Sequence, residues 1–412
     1  MEDIILYFTS NKEKLERELT QLTSSWSSDC DELLKDTQLA TLKQTYKDQL
    51  LQTVPDTTND VLYYCQYYLD VWFRESVEVM YNLHLRRSQL EANMVHLKRL
   101  DLPEQRSTEW YKIRENLLTA SSLADALGKG HFQTRDGLLL SKISDTKSTF
   151  SKASRDIMQW GVKYEPVATE FYEYLNHVNI IEFGLIPHPE LSVFGASPDG
   201  ICDIGSPIGY TGRMLEIKCP PKRKFTKEVP KHYWMQMQGQ LEVCDLDECD
   251  FFQVKLDEYD NVGDYEEDQL LEDECIQHGK TKAGLPKGLL IAYTSKDSEH
   301  IDYKYSPWLA PLQTIVEWRD KVLQELEVEH VIYEIKWWSI ERYECTLVRR
   351  DKAWWLSVVP DIIQFWKEVV HYREVGNEEV QKRIDGRKRG PRKKVFEIKE
   401  PLKGYLIDSD ED

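Results

Sequence analysis

Phe194 to Pro220 reads FGASPDGICDIGSPIGYTGRMLEIKCP, and its spacing decides how the rest of the chain is read. Asp199 follows a Ser-Pro just after the Val193-Phe194 run; then, across a Gly-rich turn, Glu216 and Lys218 stand two apart in an apolar run. Positions two apart in a strand share a face, so Glu216 and Lys218 project together while Leu215, Ile217 and Cys219 face the other way. Asp199 can swing in beside them. Two carboxylates and an ammonium at one point form a device with a definite use: the carboxylates hold a hard divalent cation, and the lysine polarises or orients a water.

At 412 residues the chain is long enough for two or three domains, and its 41% hydrophobic content is enough for real cores. No apolar run reaches the ~20 residues of a membrane span. The start MEDIILYFTSNKEK has no basic segment leading into an apolar one, so a soluble, intracellular protein is expected. The eight cysteines, at 30, 65, 202, 219, 244, 249, 275 and 345, form no CxxC pair, which argues against a disulfide scaffold or zinc ribbon and for buried, reduced thiols. Cys244, Cys249, Cys275 and Cys345 are the one set that could attempt a four-cysteine cluster. The net charge of −19 is unevenly spread: residues 257–274 hold ten carboxylates and no Lys or Arg, whereas 382–394 hold eight Lys or Arg against one Asp. Partners follow local potential, so the acidic total does not exclude DNA.

Along the chain, Ser10 with Glu13 makes a capping box ahead of Leu15, Leu19 and Leu22 at helical spacing. Leu39, Leu42, Tyr46 and Leu50 repeat next, and a third pattern from Asn59 to Leu100 carries Leu69, Phe73, Met80, Leu83, Leu90, Met94 and Leu97. Residues 1–100 therefore read as an all-α module, with Tyr63, Tyr64, Tyr67 and Tyr68 as a packed helix or a partner surface. After Leu102-Pro103, Thr119 or Ser121 can cap a short helix closed by Gly128, whose free N–H groups could hold a phosphate near Arg114; a plain capped surface helix is the alternative. Met158 to Glu165-Pro166 opens a helix with Glu165 in its first turn, where the dipole favours a carboxylate. Lys231 to Val243 is a helix with Gln236 and Gln240 one turn apart, ordinary if exposed. Phe251–Leu256 alternates like a strand, Leu289–Tyr293 reads as a strand, Leu312–Leu326 as a helix, and Ile332–Arg349 as strand material. Trp354 to Tyr372 is an aromatic-rich helix broken or kinked at Pro360. Residues 374–412 are charged and expected to be largely disordered.

Five landmarks now stand in order: Trp110-Tyr-Lys-Ile-Arg114 with Thr119-Ala-Ser121, Trp160-Gly-Val-Lys-Tyr-Glu165, Ser197-Pro-Asp199-Gly, Leu215-Glu216-Ile-Lys218-Cys-Pro, and Tyr233-Trp-Met-Gln236-Met-Gln238. Together they resemble the phage lambda exonuclease, or YqaJ-type viral recombinase, family, and Pro198-Asp199 with Glu216-Ile217-Lys218 match the PD-(D/E)xK nuclease signature literally. The resemblance implies an α/β fold with a restriction-endonuclease-like core, a mixed central sheet flanked by helices, over 101–260 and 331–373. Residues 261–330 would be an insertion between neighbouring strands, 1–100 a helical module and 374–412 a tail.

The resemblance further implies that Asp199, Glu216 and the carbonyl of Ile217 ligate Mg²⁺ or Mn²⁺, with Glu165 a further metal or water ligand. Lys218 would position the attacking water, and Gln236 would support it. Arg114, Ser121 and Ser197 match positions that hold a terminal 5′ phosphate. The implied activity is 5′→3′ exonucleolytic hydrolysis of double-stranded DNA ends in recombination, repair or viral genome processing. A structure-specific or alkaline-type endonuclease acting on DNA or RNA, and a non-catalytic DNA-binding module, are the alternatives. A single-strand annealing protein is a partner that such exonucleases work beside. The family's ring-shaped oligomers are put in doubt here by the extra N-terminal residues and the insertion. The basic segment 382–394 reads as a DNA tether, a nuclear import signal or a solvated tail.

Overall fold

The computed structural model describes residues 88–389 except 104–106, 132, 145–151, 208, 223–224, 226–227, 273–274 and 297–299, and before them 32–53 and single positions between 7 and 73. Its centre is a seven-stranded mixed sheet. Alternating or continuously apolar runs form β2 (Ile180–Ile181), β5 (Gly200–Cys202), β6 (Met214–Lys218), β7 (Glu248–Glu258), β10 (Lys287–Ser295), β11 (Asp302–Tyr305) and β12 (His330–Arg349), in the order β11-β10-β12-β7-β6-β5-β2. Within this sheet, among the described residues, only β6 and β7 run parallel, and the helix α6 (Lys231–Val243) makes the crossover between them. A smaller sheet joins β1 (Leu118–Thr119), β4 (Phe194–Ala196) and β3 (Ile186–Pro187), and β8 (Leu270–Glu272) pairs with β9 (Cys275–Gln277).

Two apolar layers cover the main sheet. On one face Leu215, Ile217, Phe252, Val254 and Leu256 pack against Tyr164, Ala168 and Phe171 of the helix α5 (Lys152–Asn176). On the other face Met214, Phe251 and Val348 pack with Met237 and Leu241 of α6 and with Trp355, Ile362 and Phe365 of the helix α9 (Lys352–Val375). The alternation in β6 thus splits its residues between the two layers, as a pleated strand requires. Asp351 starts α9 by accepting from Trp354 N at 2.9 Å. The expected break at Pro360 is absent: α9 is helical across it. The carbonyl that proline leaves without a donor belongs to Leu356, which is exposed, so water can satisfy it.

Residues 261–330, expected as an insertion, supply β10 and β11 to the sheet. The first half of β12 pairs with β10 (Leu290↔Lys336), and its second half pairs with β7 (Arg342↔Lys255 to Arg349↔Glu248). The helix Leu312–Leu326 covers β10 through Val322 and Leu326 against Ile291.

The third helical pattern of the N-terminal region divides. Leu69 and Phe73 lie in one cluster with Leu15, Leu19, Tyr46 and Leu50. Leu90, Met94 and Leu97 instead pack on the central core, where Asn93 Nδ2 donates to the carbonyls of Cys244 at 2.8 Å and Asp245 at 3.1 Å. The capping partner Glu13 and the four tyrosines at 63–68 lie outside the described residues. Toward the C-terminus, where composition predicts disorder, Glu378–Arg389 form a helix whose Val380 and Ile384, one turn apart, reach the core. Residues 390–412, including the end of the basic segment, lie outside the described residues.

Candidate active site

Glu216 is fully buried on β6, facing α6, and both of its carboxylate oxygens are held by glutamines of that helix. Gln236 Nε2 donates to Oε1 at 2.7 Å, and Gln240 Nε2 donates to Oε2 at 2.8 Å. Gln240 also donates to the carbonyl of Ser197 at 3.3 Å, tying α6 to the loop that carries Asp199. The expectation of an ordinary exposed Gln240 is therefore wrong: the side chain is buried, because α6 is enclosed on more than one face. The i,i+4 pairing with Gln236 was the signal that could have found it. Gln238, on another face, donates to Arg349 O and accepts from Asp351 N, so it fixes the start of α9.

Asp199 reaches the same point from the β4–β5 turn, where its Oδ2 accepts from Ile217 N at 2.7 Å. Gly200 behind it is required by space, since an added Cβ would lie 2.2 Å from Ile180 Cγ2. Lys218 Nζ contacts the Glu216 carboxylate, donates to the carbonyl of Ile217 at 2.9 Å, lies 3.9 Å from Asp199 Oδ2, and sits 5.2 Å from the centre of the Tyr233 ring. The ammonium thus occupies the point on which the Glu216 carboxylate, the Ile217 carbonyl and Asp199 converge.

The electrostatics show an excess of negative charge. Burial, then the neighbouring Glu216 and Glu165, push the Asp199 carboxyl well above the usual carboxylate range, against the pull of Lys218 and the Ile217 N–H. Burial alone would depress Lys218, yet Glu216 and Asp199 hold its ammonium above the usual lysine range. Among the described residues no three His, Cys, Asp or Glu side chains close into a ready-made metal cluster. Glu165 lends its field from α5 and sits well inside that helix, which begins at Lys152, so the first-turn reading is corrected.

The parallel pairing Leu118↔Phe194 and Thr119↔Gly195 sets β1, which leads into Ser121, beside β4, which leads into Ser197. Arg114 ends the helix Thr108–Glu115, stacks 4.2 Å from the Trp110 ring centre and reaches Ser121 Oγ at 3.5 Å. The hydroxyl of Ser197 is buried without a hydrogen-bond partner among the described residues. The expected cap is not formed: Thr119 Oγ1 meets Ser121 Oγ at 3.1 Å, and only a 3₁₀ turn and one α-turn follow before Gly128, at φ +68°.

A mixed sheet carries Asp199 at one strand turn and Glu216-x-Lys218 on the neighbouring strand, the arrangement that the PD-(D/E)xK signature implies. Residues 109–247 match the YqaJ-like viral recombinase domain. An uncharacterized protein of Acanthamoeba polyphaga mimivirus is 30% identical over 306 residues, which cover 68% of this chain and 54% of that protein, so the chain spans about half the length of this curated relative. An alkaline exonuclease from Laribacter hongkongensis, solved alone and with dAMP, aligns over 68% of this chain and 99% of its own at 20% identity and TM-score 0.37. A phage-related exonuclease from Haemophilus somnus aligns over 66% and 96% at 11% identity and TM-score 0.30.

Proposed function

We propose that this protein is a metal-dependent exonuclease that hydrolyses double-stranded DNA from its ends in the 5′→3′ direction, in recombination, repair or viral genome processing. The observation that carries the reading is the convergence of Asp199, Glu216 and the Ile217 carbonyl on a single cationic nitrogen. That donor set of hard oxygens, with a surplus of negative charge, fits Mg²⁺ or Mn²⁺. Asp199, Glu216 and the Ile217 carbonyl would hold the ion, and Glu165 adds charge from the helix side. Such an ion, when bound, supplies Lewis acidity that activates water and neutralises phosphate oxygens.

The chain's own groups do the rest. Gln236 and Gln240 fix both oxygens of Glu216 and so its orientation. Lys218 orients the attacking water and takes up charge developing on the phosphate. Arg114, Ser121 and the unpartnered hydroxyl of Ser197 hold a terminal 5′ phosphate, which makes the enzyme begin at an end.

Linear duplex with labelled 5′-phosphate or 5′-hydroxyl ends, a closed circle and an RNA control, each with Mg²⁺, test this. Digestion of linear DNA alone, faster from 5′ phosphate, is expected. Arg114→Ala is expected to remove the preference for phosphate while leaving hydroxyl ends nearly unchanged. Cutting of the circle would instead make the protein an endonuclease, and no cleavage by the unaltered chain would end the nuclease reading.

A further inference from the structure

The long strand β12 contains an irregularity that turns one arginine toward the candidate site. Trp338 and Ile340 pack in the α5 layer, whereas Val348 packs in the α6 layer. Simple alternation would put residues 340 and 348 on the same face. A register shift between Ile340 and Arg342, with Glu341 as the extra residue, inverts the alternation. Arg342 therefore stands opposite Lys255, on the face that carries Glu216 and Lys218, instead of pointing into the apolar layer below Ile340.

Arg342 is exposed there, and its guanidinium lies 4.7 Å from the ring centre of Phe225, in the loop that leaves Lys218. No carboxylate among the described residues pairs with it, in a chain whose net charge is −19. The contrast with other arginines is direct: Arg135 pairs with Glu368, Arg213 with Glu248 and Asp250, and Arg350 with Glu242 and Asp245. Among the described residues Arg114, stacked on Trp110, and Arg373, beside Trp366, share the pattern of a ring partner without a paired acid, and Arg373 is tied down by the carbonyls of Lys142 and Glu115. Lys218 is level with Gln253 and Glu344, and Arg342 lies two residues further on. Two strand spacings and two residue rises separate Lys218 from Arg342 by roughly 12 Å.

We propose that Arg342, held flat by Phe225, is a phosphate-gripping position for the nucleic-acid strand that passes Lys218, placed on that face by the bulge at Glu341. The proposal rests on the nuclease reading. Phe225 restricts the guanidinium and offers a ring edge to a base, while Arg342 neutralises a phosphate a few nucleotides from the scissile one.

The test uses the full chain with Mg²⁺ on linear 5′-phosphorylated duplex. Arg342→Ala is expected to raise KM about tenfold with kcat within about twofold, and to flatten the dependence of log KM on log salt by about 0.9, the contribution of one phosphate contact. Arg342→Lys is expected to keep the salt dependence with an intermediate KM, and Phe225→Ala to raise KM while keeping the salt dependence. Arg342→Gln repeats the measurement should the alanine variant fold poorly, judged by its thermal midpoint. A wild-type KM and salt dependence in folded Arg342→Ala or Arg342→Gln overturns the proposal and leaves the nuclease reading standing. Absence of cleavage by the unaltered protein overturns both.

Discussion

Two buried or half-buried lysines flank the same sheet, each facing two carboxylates, and their surroundings are opposite. Lys163 of α5 donates to Glu258 at 2.6 Å and Glu334 at 2.5 Å; the Tyr164 hydroxyl donates to Glu258 at 2.7 Å, and Lys336 lies 3.5 Å from it. Two cations and a hydroxyl answer two anions, and although burial works against it, these donors hold the Glu258 carboxyl below its usual range. Around Lys218, Glu216 and Asp199 share one ammonium while Glu165 adds its field, and Asp199 is pushed up. The first cluster is balanced by the chain itself. The second holds more acid than base of its own, which is the difference expected between a structural ion-pair group and one built to bind a cation.

The comparison is broken most sharply by removing the acids that lack compensation. Asp199→Asn and Glu216→Gln are each expected to cut the hydrolysis rate by about a thousandfold or more, a barrier change of ~4 kcal/mol, while Glu334→Gln leaves it near wild type; equal losses in all three, assayed on linear duplex, would erase the distinction. Lys163→Met should cost stability without touching chemistry, roughly 2 to 3 kcal/mol, because it strands two partly buried carboxylates; urea unfolding midpoints measure it. Gln240→Ala is expected to weaken activity or metal affinity by about 10- to 100-fold with little change in unfolding, as for a group that orients a ligand.

The smallest effect is in pH. Since the folded chain holds Glu258 below its unfolded value, the unfolded state binds more protons in that window, so stability is present above the ordinary glutamate value and is lost as pH falls through the folded one. The thermal midpoint of Glu258→Gln should therefore fall less than that of the wild type on acidification from neutral pH; parallel curves would show that the pair contributes nothing.

Local chemistry made much of this legible. Glu216 and Lys218 two apart, and Gln236 on a helix after them, needed only periodicity and the order of landmarks. The burial of Gln240 showed only as its i,i+4 spacing from Gln236, because a glutamine among Gln236 and Gln238 looks like a wet face; the packing there is tight, and a Cβ added at Gly239 would meet the Phe194 ring at 2.9 Å. Lys163 lies inside a landmark and proved to serve an ion-pair group, so position within a motif did not fix its role. Leu289–Tyr293 announced a strand, but besides its near neighbour β11 its other partner, β12, lay at long range, and long-range register leaves no local trace. The turn of Arg342 is of the same kind: a bulge is a fact about two strands, invisible in one.

The continuity of β12 also has a consequence for how the chain reaches its native state. Its two halves bind different neighbours, so the pairing with β7 closes a loop that contains all of residues 261–330. Closing it directly would be slow, since the entropy is spent before the contacts form. The antiparallel β10–β12 ladder, with the helix Leu312–Leu326 beside it, shortens the effective loop. Residues 261–330 would then act as a folding jig for the central sheet, and a destabilising change such as Ile291→Ala should slow refolding; an unchanged refolding rate with faster unfolding would place their assembly after the rate-limiting step.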